Sequence, residues 1–512
     1  MEQEREKTPL ENLLAEMDKG GDFPALSRTI TEINHAVGDE NSRASRMTEI
    51  ILRDISLTKK LLRLVNAAHY GTHGSQPIST ISRAVVILGF ETVRNAAVSL
   101  MLYEHLQNHA NVEVLRGEAV DSFFRGVLGR LLAGSAGVRD SEEAFISALF
   151  RDLGRLMARF HFFDQTEQVG KLMQEEMLDE QSASRQVFGV DYDEIGLAIA
   201  KSWHFPPAIL HAMTPFQGTA PLKKPGASDN DRLRIVANMA RDLHRSIAGR
   251  QAEEQAQSID TLFLRYRDAV QISQENLMET ARKAAHTLQA ESTALNVDIR
   301  KSPLMRELLR AQGDEAVADA DAEDATDPAP NTPDDGVGND PTSILALGMQ
   351  DMTAMMLGQY HLADIFKLVA ELYFRTELFD DVVVSVLDRP SQTLIGRVSL
   401  GRNAARMRGV FRIPLSFAPD VFHAATSKGQ DVLISDATAD NIRKRIPEWY
   451  RQAFSSSTHA HAFLLLPVMV NNKPLGLIYA DRLSQPLQVS SQLLGLLKAL
   501  RNQAALALQL KL

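Results

Sequence analysis

Arg151 and Asp152 are the residues whose types and position point most directly to chemistry. They follow the apolar segment Phe145–Phe150. An aspartate carboxylate can bind a divalent cation or accept a proton, whereas a guanidinium is permanently charged and has no lone pair to offer a metal. The pair therefore predicts a carboxylate held beside a fixed positive charge rather than beside a second metal ligand.

Cysteine chemistry is excluded, because the chain of 512 residues contains no Cys. This rules out disulfides, thiol catalysis and cysteine-ligated zinc or iron–sulfur centres, and it fits a reducing cytoplasm. The two common patterns of a glycine-rich phosphate loop are also missing from the sequence. We therefore expect no cofactor.

The formal net charge of −10 is concentrated in one segment. Residues 312–341 carry ten acidic side chains and no basic one, which leaves 55 acidic against 55 basic residues in the rest of the chain. Because this segment also has four prolines and few large apolar residues, it predicts a disordered acidic linker. The near-neutral remainder argues against a nucleic-acid partner.

Membrane attachment is not expected from the sequence. Met1–Lys7 show no apolar stretch behind a basic start, so no signal peptide is predicted. The longest apolar run, Phe463–Val470, is far shorter than the roughly 20 residues of a membrane span. We expect a cytoplasmic protein.

The chain before the linker has helical patterns. Thr8–Glu11 is a capping box with Pro at the first helical position, which predicts an N-terminal helix within residues 1–17. Leu26, Ile30, Ile33 and Val37 then recur at helical spacing. No alternating strand pattern appears before residue 340, so residues 1 to about 310 are predicted to be all-α.

The period changes after the linker. Asn471–Pro474 predicts a hairpin turn between the last two of several β-like runs, and a helix from about Ser490 closes the chain. This is the pattern of an α+β domain over residues 342–512. The predicted strands are Val382–Leu387, Thr393–Leu400, Phe411–Leu415, Val432–Ser435, Phe463–Val470 and Leu475–Asp481.

An ordered series of motifs makes residues 18–245 resemble the HDOD domain, a non-catalytic relative of the HD and HD-GYP phosphohydrolases. The resemblance implies an all-α, HD-like helical domain, and residues 246–311 are then a helical extension of it. The motifs that carry the resemblance are Phe23–Leu26, Asp54–Asn66, His69–Gly71, Pro77–Gly89, Asp152–Gly154 and Trp203–Pro206.

The resemblance also locates a degenerate site. Catalytic HD domains hold one or two divalent ions through an early His, a His-Asp doublet and a late Asp, and the metal activates water. Here the early position falls on or near Arg125, the doublet is Arg151-Asp152, and the late position has the candidates Asn238, Arg241 and Asp242. None of the fourteen histidines precedes an Asp, so no doublet occurs elsewhere.

Two interpretations of this degenerate site remain open. In the first, Arg125, Arg151 and Arg241 form a metal-free pocket that binds an anion such as phosphate. In the second, Arg151 or Arg125 pairs internally with Asp152 and fills the space. Neither interpretation leaves a catalytic residue or a metal site.

Residues 342–512 resemble a GAF-type sensor domain. The resemblance is carried by the strand Phe463–Leu466 with Pro467–Val468, and by Pro474–Asp481. GAF domains hold a small ligand over the sheet or serve to dimerise, and no motif here identifies a ligand. The leucine-rich flanking helices favour a homodimer. The predicted fold is an all-α HD-like domain followed by an α+β GAF-like domain with a central antiparallel sheet.

The sequence thus predicts a bacterial-type, non-enzymatic signal-transduction protein. An HDOD protein-interaction scaffold would be coupled to a GAF-like sensor or dimerisation domain. Its expected partners are other signalling proteins, a small-molecule ligand of the GAF-like domain and a second copy of the chain. Two alternatives remain: a divergent metal-dependent phosphohydrolase acting on nucleotides or cyclic dinucleotides, and a ligand-free helical adaptor.

Overall fold

The computed structural model spans residues 1–512 and describes residues 8–19, 23–35, 40–70, 78–109, 113–223, 228–295, 298–310, 340–358, 360–437, 439–453, 462–483 and 486–511. The predicted linker at 312–341 lies outside these ranges except for its last two residues. Asp340 is the N-cap and Pro341 the first residue of a helix, and the Asp340 carboxylate accepts hydrogen bonds from the next two backbone amides.

The described residues before position 340 form helices and no strand, as predicted. Short 3₁₀ turns occupy Phe150–Asp152 and Ile299–Lys301. The α-helices are α1 (Pro9–Met17), α2 (Phe23–Asn34), α3 (Glu40–Leu52), α4 (Ile55–Tyr70), α5 (Ile81–Leu88), α6 (Phe90–His109), α7 (Glu113–Ala136), α8 (Ser141–Leu149), α9 (Leu153–His161), α10 (Phe163–Glu175), α11 (Glu180–Phe188), α12 (Tyr192–Ser202), α13 (Pro207–Ala212), α14 (Asp229–Ile247), α15 (Ala252–Tyr266), α16 (Gln274–Leu295) and α17 (Pro303–Arg310).

The described residues from 340 onward mix helices and strands. They are α18 (Pro341–Leu357), α19 (Leu362–Arg375), β1 (Asp381–Asp388), β2 (Thr393–Gly401), α20 (Ala404–Val410), β3 (Arg412–Pro414), α21 (Val421–Lys428), β4 (Val432–Ile434), α22 (Asp440–Arg443), α23 (Glu448–Ala453), β5 (Ala462–Val470), β6 (Lys473–Arg482) and α24 (Ser491–Lys511). Each predicted strand is present, with ends shifted by one or two residues.

The N-terminal helices begin where the sequence signals place them. The Thr8 hydroxyl accepts a hydrogen bond from the Glu11 amide, and the Glu11 carboxylate accepts one from the Thr8 amide at 2.8 Å. In α2, Leu26, Ile30 and Ile33 are buried as their spacing predicts, whereas Val37 lies outside the described residues.

The chain divides into two compact units. Unit 1 comprises residues 1–37 and 90–331, and unit 2 comprises residues 38–89 and 332–512. Helices α3–α5 thus belong to the same unit as the sheet, and α5 contacts α19. In the part of the chain that the structure describes, no helix is both long enough and apolar enough to cross a bilayer.

The strands of unit 2 form one antiparallel sheet in the order β3-β2-β1-β6-β5-β4. The β5–β6 hairpin turns at Asn471 and Asn472, which have φ values of 51° and 59°. A turn with two consecutive residues at positive φ has a twist that matches the right-handed twist of the flanking strands, and asparagine tolerates positive φ better than most residues. The predicted hairpin and the predicted antiparallel sheet are therefore both confirmed.

Candidate functional site

Arg151 and Asp152 lie on the buried 3₁₀ turn that joins α8 to α9 in unit 1. Helix α8 starts at Asp140, whose carboxylate accepts hydrogen bonds from two first-turn amides. Five consecutive residues of α8 after its first turn are buried, so the helix delivers the turn to the interior of the unit. Arg151 is 2% exposed and Asp152 is 8% exposed.

A close contact between α9 and α12 determines which residues of α12 lie near this turn. A Cβ atom on Gly154, in the first turn of α9, would lie 1.8 Å from the carbonyl oxygen of Tyr192. Only glycine allows this contact between α9 and the start of α12. Helix α12 begins with a capping box in which the Asp191 and Glu194 side chains each accept from the other's amide. This cap and the glycine contact set Asp193 close to the turn.

The Asp152 carboxylate is surrounded by arginines. Its oxygens lie 2.8 Å from Nε of Arg241, 3.7 Å from Nε of Arg125 and 3.7 Å from Nη2 of Arg245. Burial alone would raise the pKa of Asp152, but the charges of Arg241, Arg245 and Arg125 hold it well below its usual range. Asp152 is therefore ionised at neutral pH, and its charge is neutralised by the protein itself.

Arg151 faces a different set of partners. Its Nε donates to Oδ1 of Asn238 at 2.9 Å, and its Nη1 forms a short ion pair with Asp193. Burial lowers the pKa of Arg151 and the charge of Arg241 adds to this, while Asp193 opposes both. The guanidinium is consequently held by one carboxylate and one amide rather than by the adjacent Asp152.

A second layer of ion pairs surrounds these contacts. Glu180 lies 2.7 Å from Arg245, 3.5 Å from Arg155 and 3.6 Å from Arg241. Among the described residues, these ion pairs join six arginines to five carboxylates. They are Arg125, Arg151, Arg155, Arg159, Arg241 and Arg245 with Glu118, Asp152, Glu167, Glu180 and Asp193.

The structure brings together all four residues that the sequence assigned to the degenerate site, Arg125, Arg151, Asp152 and Arg241. Of the other candidates for the late position, Asn238 contacts Arg151. Asp242 has its direct contacts elsewhere: it accepts a hydrogen bond from the Tyr266 hydroxyl at 2.8 Å and lies 3.6 Å from Arg265.

Sequence reasoning missed Asp193, Glu180 and Arg245. Glu180 directly follows the N-cap Asp179 of α11, and Asp193 is the second residue after the N-cap Asp191 of α12. The caps are visible in the sequence, but carboxylates in a first turn are also expected from the helix dipole alone. Their role as partners of distant arginines had no separate signal.

Internal pairing is the interpretation that this geometry favours. Because five carboxylates already pair with the six arginines, an added phosphate would meet little excess positive charge. Five buried guanidinium nitrogens of the network have no partner in hydrogen-bond geometry among the described residues: Nη2 of Arg151 and Nε of Arg125, Arg159, Arg241 and Arg245. A pocket for a small anion at these donors therefore stays a prediction.

The core of unit 2 above the sheet is filled with aromatic side chains. The ring of Phe422, on α21, stacks on Phe463 and Tyr479 at centroid distances of 6.1 and 6.3 Å. The hydroxyl of Tyr479 is 2.7 Å from that of Tyr450 and donates to Asp481 at 2.6 Å. These side chains occupy the space between the sheet and α21 and α23.

Two buried carboxyls lie side by side where β1 and β6 pair. Asp381 is opposite Asp481 in the register, and both are fully buried. Burial raises the pKa of Asp381 to about 6, although the backbone amide and side-chain amide of Asn403 both donate to it. Burial and the neighbouring Asp381 raise the pKa of Asp481 well above its ordinary value.

Helix α5 receives two carboxylates at its N-terminus. Glu371, on α19 and fully buried, accepts from the Ile81 amide and, at 3.1 Å, from the Ser82 amide. Asp351, on α18, accepts from the Ser79 amide at 3.0 Å and from the Ser79 hydroxyl. Free N–H groups and the dipole of a helix start favour carboxylates there, so these contacts fasten α5 to the helices beside the sheet.

Comparison with known proteins identifies both halves. Residues 23–217 match the family model of the HDOD domain, and residues 361–508 match that of the GAF domain. The chain therefore combines an HDOD domain with a GAF domain, and the predicted resemblances are confirmed. Helices α3–α5 lie within the HDOD match although they pack in unit 2.

Similar proteins include an uncharacterized protein of Treponema pallidum (strain Nichols), 24% identical over 198 residues. The match covers 38% of this chain and 38% of that protein, so it spans well under half the length of either.

Solved structures similar to this chain belong to both domain types. One is a putative phosphohydrolase from Shewanella amazonensis SB2B (20% identity, 55% of this chain and 96% of that chain, TM-score 0.39). Another is an HDOD domain protein from Geobacter sulfurreducens (17% identity, 56% and 97%, TM-score 0.39). A third is the GAF domain of an Acinetobacter phosphoenolpyruvate-protein phosphotransferase (17% identity, 32% and 90%, TM-score 0.27).

The residues at the degenerate site do not fit the metal of catalytic HD proteins. Among the described residues, no three His, Asp or Glu side chains are grouped so that they could hold an ion. The carboxylate of Asp152 is instead in contact with Arg241, Arg125 and Arg245. A divalent cation there would meet several fixed positive charges, and the carboxylates beside them are already engaged by those arginines.

Proposed function

We propose that this chain is a non-enzymatic signal-transduction protein in which an HDOD scaffold is coupled to a GAF sensor or dimerisation domain. The observation that carries the proposal is the enclosure of Asp152 by Arg241, Arg125 and Arg245. Metal-dependent hydrolysis needs a metal-bound hydroxide. A carboxylate already neutralised by buried arginines is poorly suited to attract the ion that would generate one.

Contacts within unit 2 support the proposed coupling between the two domains. Glu371 lies in the GAF match and α5 lies in the HDOD match, and the two are joined by hydrogen bonds to the amides of Ile81 and Ser82. Since Glu371 is fully buried, displacing it from these donors leaves a buried carboxylate without partners, which is costly. A change at α19 is therefore transmitted to the start of α5.

The absence of hydrolysis is tested on the purified full chain. Metal content is measured by inductively coupled plasma mass spectrometry, and turnover of nucleotides, cyclic dinucleotides and bis-p-nitrophenyl phosphate is measured with added Mn²⁺ or Fe²⁺. We expect no stoichiometric metal and rates equal to those of the Asp152→Asn variant. Stoichiometric manganese, iron or zinc together with turnover abolished by Asp152→Asn would overturn the proposal in favour of a phosphohydrolase.

The coupling is tested by hydrogen exchange of residues 78–88. Glu371→Gln places an amide donor against the α5 amides, so exchange there should become about tenfold faster or more, as expected for the loss of a buried charge-assisted hydrogen bond. Asp364→Asn is the matched control, because Asp364 lies on the same helix and pairs with Lys367 at 3.5 Å. Equal exchange in the two variants would show that Glu371 does not hold α5.

A further inference from the structure

Unit 2 contains a cleft of about 760 Å³ between α3 and the ends of β2 and β6. It is formed by one side of α3, the end of α19 with the segment that leads to β1, the last three residues of β2 with the residues that follow into α20, and the last residue of β6. The aromatic cluster around Phe422 does not line it. The cleft is thus a concavity separate from the space above the sheet where GAF domains hold ligands.

Arginines dominate the charged lining of the cleft. Five arginines face it, against the three carboxylates of Glu49, Glu377 and Asp380. Glu377 is neutralised from outside the lining, because its carboxylate lies 2.7 Å from Nζ of Lys59. The arginines are Arg46 and Arg53 from α3, Arg402 and Arg408 from the region after β2, and Arg482 from β6.

The remaining two carboxylates are each shared by two arginines. Glu49 forms an ion pair with Arg408 and lies 3.6 Å from Arg46. Asp380 lies 3.9 Å from Arg482 and 4.0 Å from Arg402, and it also accepts a hydrogen bond from a backbone amide at 2.9 Å. These four arginines thus share two carboxylates, so the lining has an excess of positive charge.

The same cleft has an apolar wall. Leu52, Phe374, Phe379 and Leu400 line it beside the arginines. A wall of this kind beside a cluster of guanidinium groups suits a ligand with an apolar or aromatic body and an anionic end. Its volume falls in the range of small-molecule sites, about 300–1,000 Å³, and exceeds what an inorganic ion needs.

We propose that this cleft binds an organic phosphate of nucleotide size, with the phosphates held by Arg46, Arg402 and Arg408 and the organic body against Phe374. The side chains of Arg402 and Arg46 are 78% and 51% exposed. Their ion pairs with Asp380 and Glu49 are long, at 4.0 and 3.6 Å, so both side chains can turn towards a phosphate at little cost. Bidentate contacts of guanidinium with phosphate are strong and directional.

The ligand would contact both family segments at once. Arg46 comes from the HDOD match, and Arg402 comes from the GAF match. A bound phosphate would draw α3 and the β2–α20 segment together, which gives unit 2 a way to respond to a small molecule. Binding here requires neither catalysis nor inertness at Asp152, so this inference goes beyond the proposed function and can fail independently of it.

The test is isothermal titration calorimetry of the full chain with ATP, GTP, inorganic phosphate and adenosine. A nucleotide should bind at one site per chain, more weakly as salt rises, while adenosine should not bind and phosphate alone should bind much more weakly. Arg46→Ala and Arg402→Ala should each weaken nucleotide binding about tenfold, the effect of losing one charge-assisted contact.

Both substitutions are of exposed side chains, so folding should be unaffected. Arg389→Ala, an exposed arginine outside the lining, is the matched control and should leave the affinity unchanged. Three outcomes would overturn the inference: no nucleotide binding, binding unchanged by both cleft variants, or binding that Arg151→Ala alone removes, which would move the site to the HDOD domain.

Discussion

Replacing Asp152 by Asn tests the central electrostatic argument. The amide keeps the shape of the carboxylate but removes the charge that compensates Arg125, Arg241 and Arg245. Taking one partner from a buried ion pair costs about 3–5 kcal/mol, because the other charge is left uncompensated. Here Arg245 keeps Glu180 at 2.7 Å. We therefore expect a loss near the lower end, about 3 kcal/mol.

The chain offers a probe for each unit, since it has two tryptophans. Trp203 is fully buried in unit 1, and Trp449 lies in unit 2. In a Trp449→Phe background, urea unfolding followed by fluorescence reports the free energy of unfolding of unit 1 alone. Asp231→Asn is the control, because that side chain is half exposed and should change the free energy by no more than about 0.5 kcal/mol.

The dependence on pH gives a second signature of Asp152. Its pKa is lowered in the folded state, so its contribution is complete above the unfolded pKa of about 3.9 and disappears as pH falls towards the folded pKa. The difference between wild type and Asp152→Asn should hold from pH 7 to about 5 and shrink below about 4. A difference under about 1 kcal/mol at pH 7 would refute the argument that the arginines depend on Asp152.

Two further predictions concern the packing of unit 1 and the acids of unit 2. The Cβ of Gly154→Ala would lie 1.8 Å from the Tyr192 carbonyl oxygen, so this variant should destabilise unit 1 by about 3 kcal/mol or prevent its folding. Gly170→Ala, with open space around it, should be neutral or stabilise the unit by up to about 1 kcal/mol. The same urea unfolding assay measures both variants, and equal effects would contradict the close contact between α9 and α12. The pKa of Asp381 is raised to about 6 and that of Asp481 is raised as well, so the folded state keeps protons that the unfolded state loses. Unit 2 should therefore gain stability as pH falls from 7.5 towards 4, by on the order of 3 kcal/mol at most for Asp381. Urea unfolding followed by the tryptophan fluorescence of unit 2 should show this gain for the wild type and no such gain for Asp381→Asn/Asp481→Asn.

Much of the fold was accessible from local patterns. The β-like runs of β1 and β2, the turn at Asn471 and Asn472, and the capping box at Thr8 each depend on residues close in sequence. Helix caps and hairpin turns are stabilised by nearby backbone groups, so their sequence signals can be recognised without knowledge of the tertiary contacts.

The candidate site was accessible only in part. The motif at Arg151 and Asp152 and the resemblance to HD proteins pointed to Arg125 and Arg241, and the structure places all four together. Glu180 was not foreseeable, because a carboxylate in a first turn looks the same whether it faces solvent or distant arginines. The same holds for Glu371, whose partner amides in α5 are about 290 residues away.

The sequence by itself determined the chemistry that is available: a carboxylate beside a permanent cation at Asp152, no cysteine, and a helical region followed by strands. Charge, valence and backbone propensity belong to each residue and need no tertiary contact. Only the tertiary structure decided which charges neutralise which, that α3–α5 join the sheet in unit 2, and that arginines of α3 and β6 line one cleft. These outcomes depend on burial and on the distances between residues far apart in sequence, because burial and distance set the strength of an ion pair.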